Sequence, residues 1–302
     1  MLARILKDFP IQRFLDDYYL KLPFAQVHGC QEVIPAYDRA TLLRILRQEN
    51  VDFFAGRGGQ RWTGAIPSSA QQLEALLSEG YTAGIRHAER HDPDLAKLAE
   101  EFRLELGAPI NIHIYCTPQG NPGFGWHYDA EEVFILQAAG EKEWFLRKNT
   151  VNPWPLIETI PANQRYEREI MPVMHCRLSA GDWLYIPNGY WHRTAADRES
   201  ISLSVGVEAV SATQVFDFLR PRLLHSLQWR QRLPCAGSVA GKSLDELTTS
   251  YREIMQSLSR DLVSLLNDEY LARSFLESLQ SGNSANSTGP DESPGVCHVD
   301  LQ

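Results

Sequence analysis

Two short strand-like runs around a turn-rich loop narrow what this chain can fold into more than any other feature. Ile110-Asn111-Ile112-His113-Ile114-Tyr115-Cys116-Thr117 places Ile110, Ile112, Ile114 and Cys116 on one parity and more polar residues on the other. That is the period of a half-buried strand, and Val133–Leu136 is a continuous apolar run of the buried-strand type. The Pro, Gly and Asn residues from Pro118 to Gly125 supply the loop between them. His127 and Asp129 therefore fall at the start of a strand, with one residue between them and their side chains on the same side.

A second segment follows. Gly181-Asp182 signals a turn, Trp183–Ile186 reads as a strand, and Pro187-Asn188-Gly189 ends it just before His192. His192 lies 63 residues beyond Asp129 and precedes another apolar strand, Ile201–Val207. Two imidazoles and one carboxylate at strand ends form the ligand set that holds non-haem Fe(II) on one face and leaves the other open. The His-x-acid pattern alone is weak: nine histidines among 38 acidic residues predict about one occurrence by chance, and there are three. His87-Ala88-Glu89 precedes a helical segment, and His298-Val299-Asp300 sits in a Ser, Gly, Asn and Pro-rich tail unable to pack around a metal. Only His127 and Asp129 have strand-like neighbours on both sides.

These elements occur together with Gly123-Phe124-x-x-His127-x-Asp129, Val133-Phe134-x-Leu136-Gln137-x-x-Gly140, Gly140-x-Lys142-x-Trp144 and Gly181-Asp182-x-x-Tyr185-Ile186-Pro187-x-Gly189-x-x-His192. In that order they resemble the JmjC/cupin-type Fe(II)- and 2-oxoglutarate-dependent oxygenases, closest to the branch that includes the ribosomal protein hydroxylases. The resemblance covers roughly Gly80 to Val207. It implies a mainly β fold with flanking helices: a double-stranded β-helix, or jelly roll, holding the metal inside one end. It also implies Fe(II), 2-oxoglutarate and O2 as cofactor and co-substrates, with His127, Asp129 and His192 as metal ligands. In this family a basic residue thirteen positions after the Asp ligand grips the distal carboxylate of 2-oxoglutarate, and Lys142 occupies that position. A dianion inside a narrow barrel needs such a cation to offset its desolvation. The plainer reading is a solvated Lys between Glu141 and Glu143, against which Trp144 on the same parity suggests a buried face. Tyr115 and Thr117 share a parity with His113, and their hydroxyls are candidates for further hydrogen bonds to the co-substrate. His113 departs from the Asn usual in close relatives; its candidate roles are a hydrogen-bond donor behind a metal ligand, an extra ligand and a plain buried residue.

The implied reaction decarboxylates 2-oxoglutarate to succinate and hydroxylates a C–H bond of a protein, peptide or amino-acid side chain. Alternatives are an N-methyl demethylase using the same chemistry, a cupin metalloenzyme of another class (an isomerase or a dioxygenase without co-substrate), or a non-catalytic binding module. In another metalloenzyme class Lys142 would have no task. Trp126, Tyr128, Trp183, Tyr190 and Trp191 flank the ligands in sequence and are candidates for a water-excluding wall, or for ordinary core.

A net charge of −9 weighs against a nucleic-acid substrate, because phosphate-backbone binding relies on Lys and Arg. With Glu131 and Glu132 beside the metal loop, it favours a peptide or protein with basic character. Five cysteines with no Cys-x-x-Cys pair argue against a zinc ribbon or disulfide framework, so a reducing, cytoplasmic setting is expected. Charges interrupt the first ten residues where a signal peptide needs an apolar run, and no segment has the length of a membrane span.

Four regions follow: 1–107, a helical and mixed flank; 108–210, the jelly-roll core; 211–280, a helical region; and 281–302, a tail expected to be disordered. In the flank, Ser69-x-x-Gln72 and Asp92-Pro93 start helices that Gly80 and Gly107 close. The glycines from Gly56 to Gly59 lack the following helix that a phosphate loop needs and read as a plain turn. Ser243-Leu244-Asp245-Glu246 is a capping box, and Leu244, Leu247, Tyr251, Ile254, Leu258, Leu262 and Leu265 form a long apolar stripe. Packing on the barrel or a homodimer seam through these C-terminal helices would cover it.

Overall fold

A computed structural model of the chain describes residues 1–281 apart from 35, 36, 59, 122, 162–169, 209 and 238–240. The described residues up to 208 form one compact unit, and those from 210 to 281 a second. The tail expected to be disordered lies, from residue 282, outside the described residues.

The first unit carries strands β1 (Phe24–Gln26), β2 (Asp52–Arg57), β3 (Gln60–Arg61), β4 (Thr82–Arg86), β5 (Ile110–Thr117), β6 (Glu131–Arg147), β7 (Met174–Ser179), β8 (Trp183–Ile186), β9 (Trp191–Ala195) and β10 (Ser200–Glu208). Every pairing among them is antiparallel, and the main path runs β1-β8-β6-β10-β5-β4-β2-β3. Strand β6 belongs to both sides of the barrel. Its first half pairs with β8 and β10, and its second half, from Glu141, pairs with β7 and β9. Gly140 makes the break with a φ of 67°; a Cβ there would come within 1.8 Å of the Glu199 carbonyl oxygen, so only glycine fits. Two sheets sharing one bent strand, with helices against the outer face, give the expected jelly roll.

The alternation read from the sequence sorts the two cores. Ile112, Ile114 and Cys116 of β5, Leu203 and Val205 of β10, Phe134 and Leu136 of β6, and Trp183 and Tyr185 of β8 face the helical side. There Phe14 of α2 (Ile11–Asp17), which follows α1 (Leu2–Leu6), meets Phe134, Trp183 and Tyr185 at ring separations of 5.5–6.2 Å. Burial of each such ring contributes about 1.5–3 kcal/mol. Val133 and Ile135 of β6, Leu184 and Ile186 of β8 and, beyond the break at Gly140 that exchanges the two faces of β6, Trp144 and Leu146 line a smaller core inside the barrel. Around the barrel, α3 (Arg39–Leu46) precedes β2, and α4 (Ala70–Ser78) buries Leu73, Leu76 and Leu77. The Ser69 hydroxyl accepts from the Gln72 amide. Helix α5 (Pro93–Leu106) has the expected Asp92 cap and ends at Gly107 with φ 65°. Arg57 lies opposite Gln60 in a β2–β3 hairpin, the plain turn read from the sequence.

The second unit contains α6 (Gln214–His225), α7 (Leu244–Leu266) and α8 (Glu269–Gln280). Ser243 and Glu246 form the predicted capping box at the start of α7. Within this unit Trp229 donates to Asp261 at 2.6 Å, the Tyr251 hydroxyl to the Pro234 carbonyl at 2.8 Å, and Phe218 meets Phe275.

Candidate metal and co-substrate centre

The first histidine and the last are brought together by backbone pairing. His127 and His192 form a two-residue antiparallel bridge, the His127 amide donating to the His192 carbonyl at 3.0 Å and the His192 amide returning the bond at 2.7 Å. Their rings stand 4.2 Å apart. Asp129 is fixed by a third backbone bond, its carbonyl accepting from the Gly189 amide at 2.9 Å. A Cβ on Gly189 would lie 2.8 Å from the Pro153 carbonyl oxygen, which explains a glycine in the turn that aims His192.

Both imidazoles have Nδ1 3.0 Å from a backbone oxygen, that of Gly125 for His127 and of Tyr190 for His192. Such contacts place the proton on Nδ1 and leave Nε2 as the free donor. His192 Nε2 lies 3.4 Å from Asp129 Oδ2, and one donor atom from each of the three residues falls within 4.8 Å of the others. Two ligands at right angles, each about 2.1 Å from an ion, stand ~3 Å apart, so little rotation is needed to close the set. Burial, reinforced by His127, pushes His192 down to about 4, which keeps it neutral and able to ligate. Among the described residues this is the group of His, Cys, Asp and Glu side chains able to hold a metal.

Deeper in the barrel sits Lys142, 4% exposed. Its Nζ is 3.5 Å from the Ser202 hydroxyl and lies over the rings of Tyr115 and Trp144, 5.9 and 5.6 Å from their centres. Among the described residues no carboxylate pairs with it, and desolvation pushes its pKa down to about 8. The solvated reading of Lys142 is thereby removed: strand parity has turned it inward. Thr117 and Gly140 both lie opposite Ser200 of β10, so Thr117 and Lys142 flank the same stretch of that strand. The Thr117 hydroxyl is buried with no hydrogen-bond partner. An unneutralised ammonium and an orphaned hydroxyl fit one arm of a dicarboxylate, whose oxygens would satisfy both. Tyr115 lies between this pocket and the metal ligands; burial and the Asp129 carboxylate raise its pKa.

His113 lies outside the three-residue donor group. Its Nδ1 meets the His87 amide at 3.3 Å, and burial followed by the neighbouring His87 pushes it down to about 4. Glu131 and Glu132 do not form an acidic pair at the entrance. Glu131 is on the barrel face beside Asn111, whereas Glu132 turns to the helical side, where Tyr185 donates to its carboxylate. Among the flanking aromatics, Trp183 is also absent from the site: it is fully buried on the far face, donating to the Ile5 carbonyl. Tyr128 packs edge-on against Trp191 at 4.7 Å. The sequence reading missed Ser202, whose signal was the Ser200, Ser202, Ser204 parity of β10, and the wall formed by Phe54 and Phe124 around Tyr115.

A double-stranded barrel with a His-x-Asp…His centre and an inward lysine defines a class, and the sequence places the chain in it: residues 85–215 match the JmjC domain family. This region is a JmjC-type domain, and its sequence is similar to that of the ribosomal oxygenases. It is 31% identical over 204 residues to ribosomal oxygenase 1 of Gallus gallus, covering 63% of this chain and 32% of that protein. It is 32% identical over 222 residues to the bifunctional lysine-specific demethylase and histidyl-hydroxylase NO66 of Dictyostelium discoideum, covering 68% and 42%. The chain thus spans well under half the length of these curated relatives. The structure of the Escherichia coli ribosomal oxygenase YcfD with cobalt and 2-oxoglutarate shares the fold, with a TM-score of 0.58 at 20% identity over 89% of this chain and 70% of that one.

Proposed function

We propose that the chain is an Fe(II)- and 2-oxoglutarate-dependent oxygenase that hydroxylates a side chain in a protein or peptide. The observation that carries this reading is Lys142, a buried cation without a counter-ion among the described residues, on the same barrel face as three convergent metal donors. In this assignment His127, Asp129 and His192 hold the iron, and Lys142 with Thr117 and Tyr115 holds 2-oxoglutarate. Bound iron would couple decarboxylation of 2-oxoglutarate by O2 to oxygen insertion into a C–H bond, giving succinate, CO2 and an alcohol. The chain's own contribution is positional. The backbone bridge holds the two imidazoles, Lys142 orients the co-substrate by its far carboxylate, and Tyr128 with Trp191 keeps water from one side.

The activities by which these relatives are known, ribosomal oxygenase, histidyl-hydroxylase and lysine-specific demethylase, support a polypeptide substrate. Purified protein with Fe(II), ascorbate and 2-oxoglutarate should release succinate, and nuclease-treated cell extract should stimulate that release. A polypeptide in the extract should gain one oxygen in mass; loss of a methyl group would assign demethylation instead. Stimulation destroyed by nuclease and resistant to protease would defeat the polypeptide reading.

Self-association through the C-terminal helices is part of the same proposal. Tyr251, Ile254, Leu258, Leu262 and Leu265 of the α7 stripe are half-buried, while Leu244, Met255, Val263 and Leu266 leave a second apolar surface exposed. Light scattering should report a dimer. Met255→Glu with Leu266→Glu, both exposed in the single chain, should give a folded monomer; a wild type already monomeric at micromolar concentration refutes this. No helix among the described residues is long and apolar enough to cross a membrane. The unpaired thiols of Cys30, Cys116, Cys176 and Cys235 support a reducing, cytoplasmic location.

A further inference from the structure

Beside the metal donors, and outside the co-substrate pocket, two acceptor oxygens converge where the described residues supply neither with a donor. Asn111 of β5 lies opposite Gly206 of β10, and Gly206 is also flanked by the start of β6. The Asn111 Nδ2 donates to Glu131 Oε1 at 2.6 Å, which fixes the amide and turns its Oδ1 the other way. A Cβ built on Gly206 would stand 2.4 Å from Glu131 Oε2 and 2.6 Å from Asn111 Oδ1, so the two oxygens are at most about 5 Å apart. Asn111 is 9% exposed, and its Oδ1 has no hydrogen-bond partner. Among the described residues no donor reaches Glu131 Oε2 either. Basic side chains nearby are engaged elsewhere: Arg86 with Asp52 at 3.3 Å and His87 with Glu89 at 3.5 Å. Leaving such an acceptor buried and unmet is costly, which marks the place as one completed by something outside the chain.

Position and charge limit what completes it. Glu131 is two residues from Asp129, so their Cα atoms are at most roughly 7 Å apart, within the reach of one amino-acid side chain from the metal. The complement of a carboxylate oxygen and an amide oxygen over a bare glycine is a group with several N–H donors and a positive charge. We propose that Glu131 and Asn111, over Gly206, receive a cationic, N–H-donating side chain of the polypeptide substrate and so set its specificity. This rests on the polypeptide-oxygenase reading of the site and adds to it the residues that recognise the substrate.

Calorimetry on the full chain loaded with Mn(II) and 2-oxoglutarate tests it with two matched pairs of probes. One pair is Nα-acetyl-arginine methylamide and its citrulline counterpart; the other is Nα-acetyl-lysine methylamide and its Nε-acetylated counterpart. The wild type should bind at least one cation at least about tenfold more tightly than its neutral partner, as expected of a charge-assisted contact. The pair that shows this tells guanidinium from ammonium. In Glu131→Gln the ratio should fall toward one, and Gly206→Ala, which fills the cradle, should lower it too. Because each ratio is taken within one protein, a general loss of folding does not imitate the result. Equal binding of charged and neutral probes by the wild type, or a preference that survives Glu131→Gln, overturns the proposal. Succinate release by the same wild-type protein, loaded in air with Fe(II), ascorbate and 2-oxoglutarate in place of Mn(II), separates the two readings. Its absence defeats the oxygenase assignment, whereas intact release without charge preference defeats only the specificity assignment.

Discussion

Replacing His127 and Asp129 together with alanine is expected to weaken Fe(II) binding by at least about 100-fold, since even partners outside the ligand set are worth 10–100-fold. Anaerobic titration should give one Fe(II) per wild-type chain and no stoichiometric binding by the variant. His192 would be left alone, and a single neutral imidazole has ordinary solution affinity. The double variant is also the better choice structurally. The bridge between residues 127 and 192 is made by main-chain groups, as is the bond from Gly189 to Asp129, so alanine retains all three. Succinate release should disappear with the metal. Near wild-type affinity in the folded variant would sink the assignment of this triad.

Much of this centre was legible because its signals are local. The parity of Ile110–Thr117 gave β5 with the bounds observed, and Trp183–Ile186 gave β8. The Asp92, Ser69 and Ser243 caps are contacts within three residues and were readable in the same way. The separation of His127 from the other His-x-acid pairs needed only the character of neighbouring segments. What was not legible depends on pairing across the chain. Ser202 approaches Lys142 through the β10–β6 register, which shifts between Ile201 and Ser202. That β6 runs unbroken from Glu131 to Arg147 was not legible: the apolar run Val133–Leu136 and the parity of Lys142 and Trp144 are separated by Gly140, three charged residues follow it, and the partners β7 and β9 are distant.

The fate of Glu131 and Glu132 shows the same limit from the other side. Adjacent strand residues must face opposite ways, so the pair should never have been read as one acidic patch. Which of the two could be buried was not decidable locally: Glu132 is tolerated on the helical side because Tyr185, 53 residues later, donates to it. Trp183 was misplaced for a related reason. All four residues of β8 are buried, so burial gives no parity, and only the registers of β8 with β1 and β6 send Trp183 toward the helices and Leu184 into the barrel.

Lys142→Met should produce two opposite effects, and their combination is hard to obtain from a surface lysine. The first is on the co-substrate: the apparent 2-oxoglutarate constant should rise at least tenfold, since a charge-assisted contact is worth roughly 1.5–3 kcal/mol. The second is on the protein without ligand, which should become more stable, because a buried cation with no counter-ion is replaced by an apolar chain of similar length. The sign with pH follows from the lowered pKa. Below about 8 the lysine is protonated in both folded and unfolded chains, so the full cost of burying the charge falls on the folded state. Between about 8 and the ordinary 10.5 the folded chain releases its proton while the unfolded chain keeps it, and that cost is progressively relieved. The advantage of the Met variant in thermal midpoint should therefore be greatest at or below pH 8 and shrink as the pH approaches 10.5. Added 2-oxoglutarate, with Mn(II) as a redox-silent ion, should narrow the variant's advantage. At about 100 times the wild-type Kd it stabilises the wild type by ~2.7 kcal/mol, whereas a variant whose Kd has risen tenfold gains only ~1.4 kcal/mol at the same concentration. A folded Met variant that still gains the full 2-oxoglutarate shift would remove Lys142 from the co-substrate pocket.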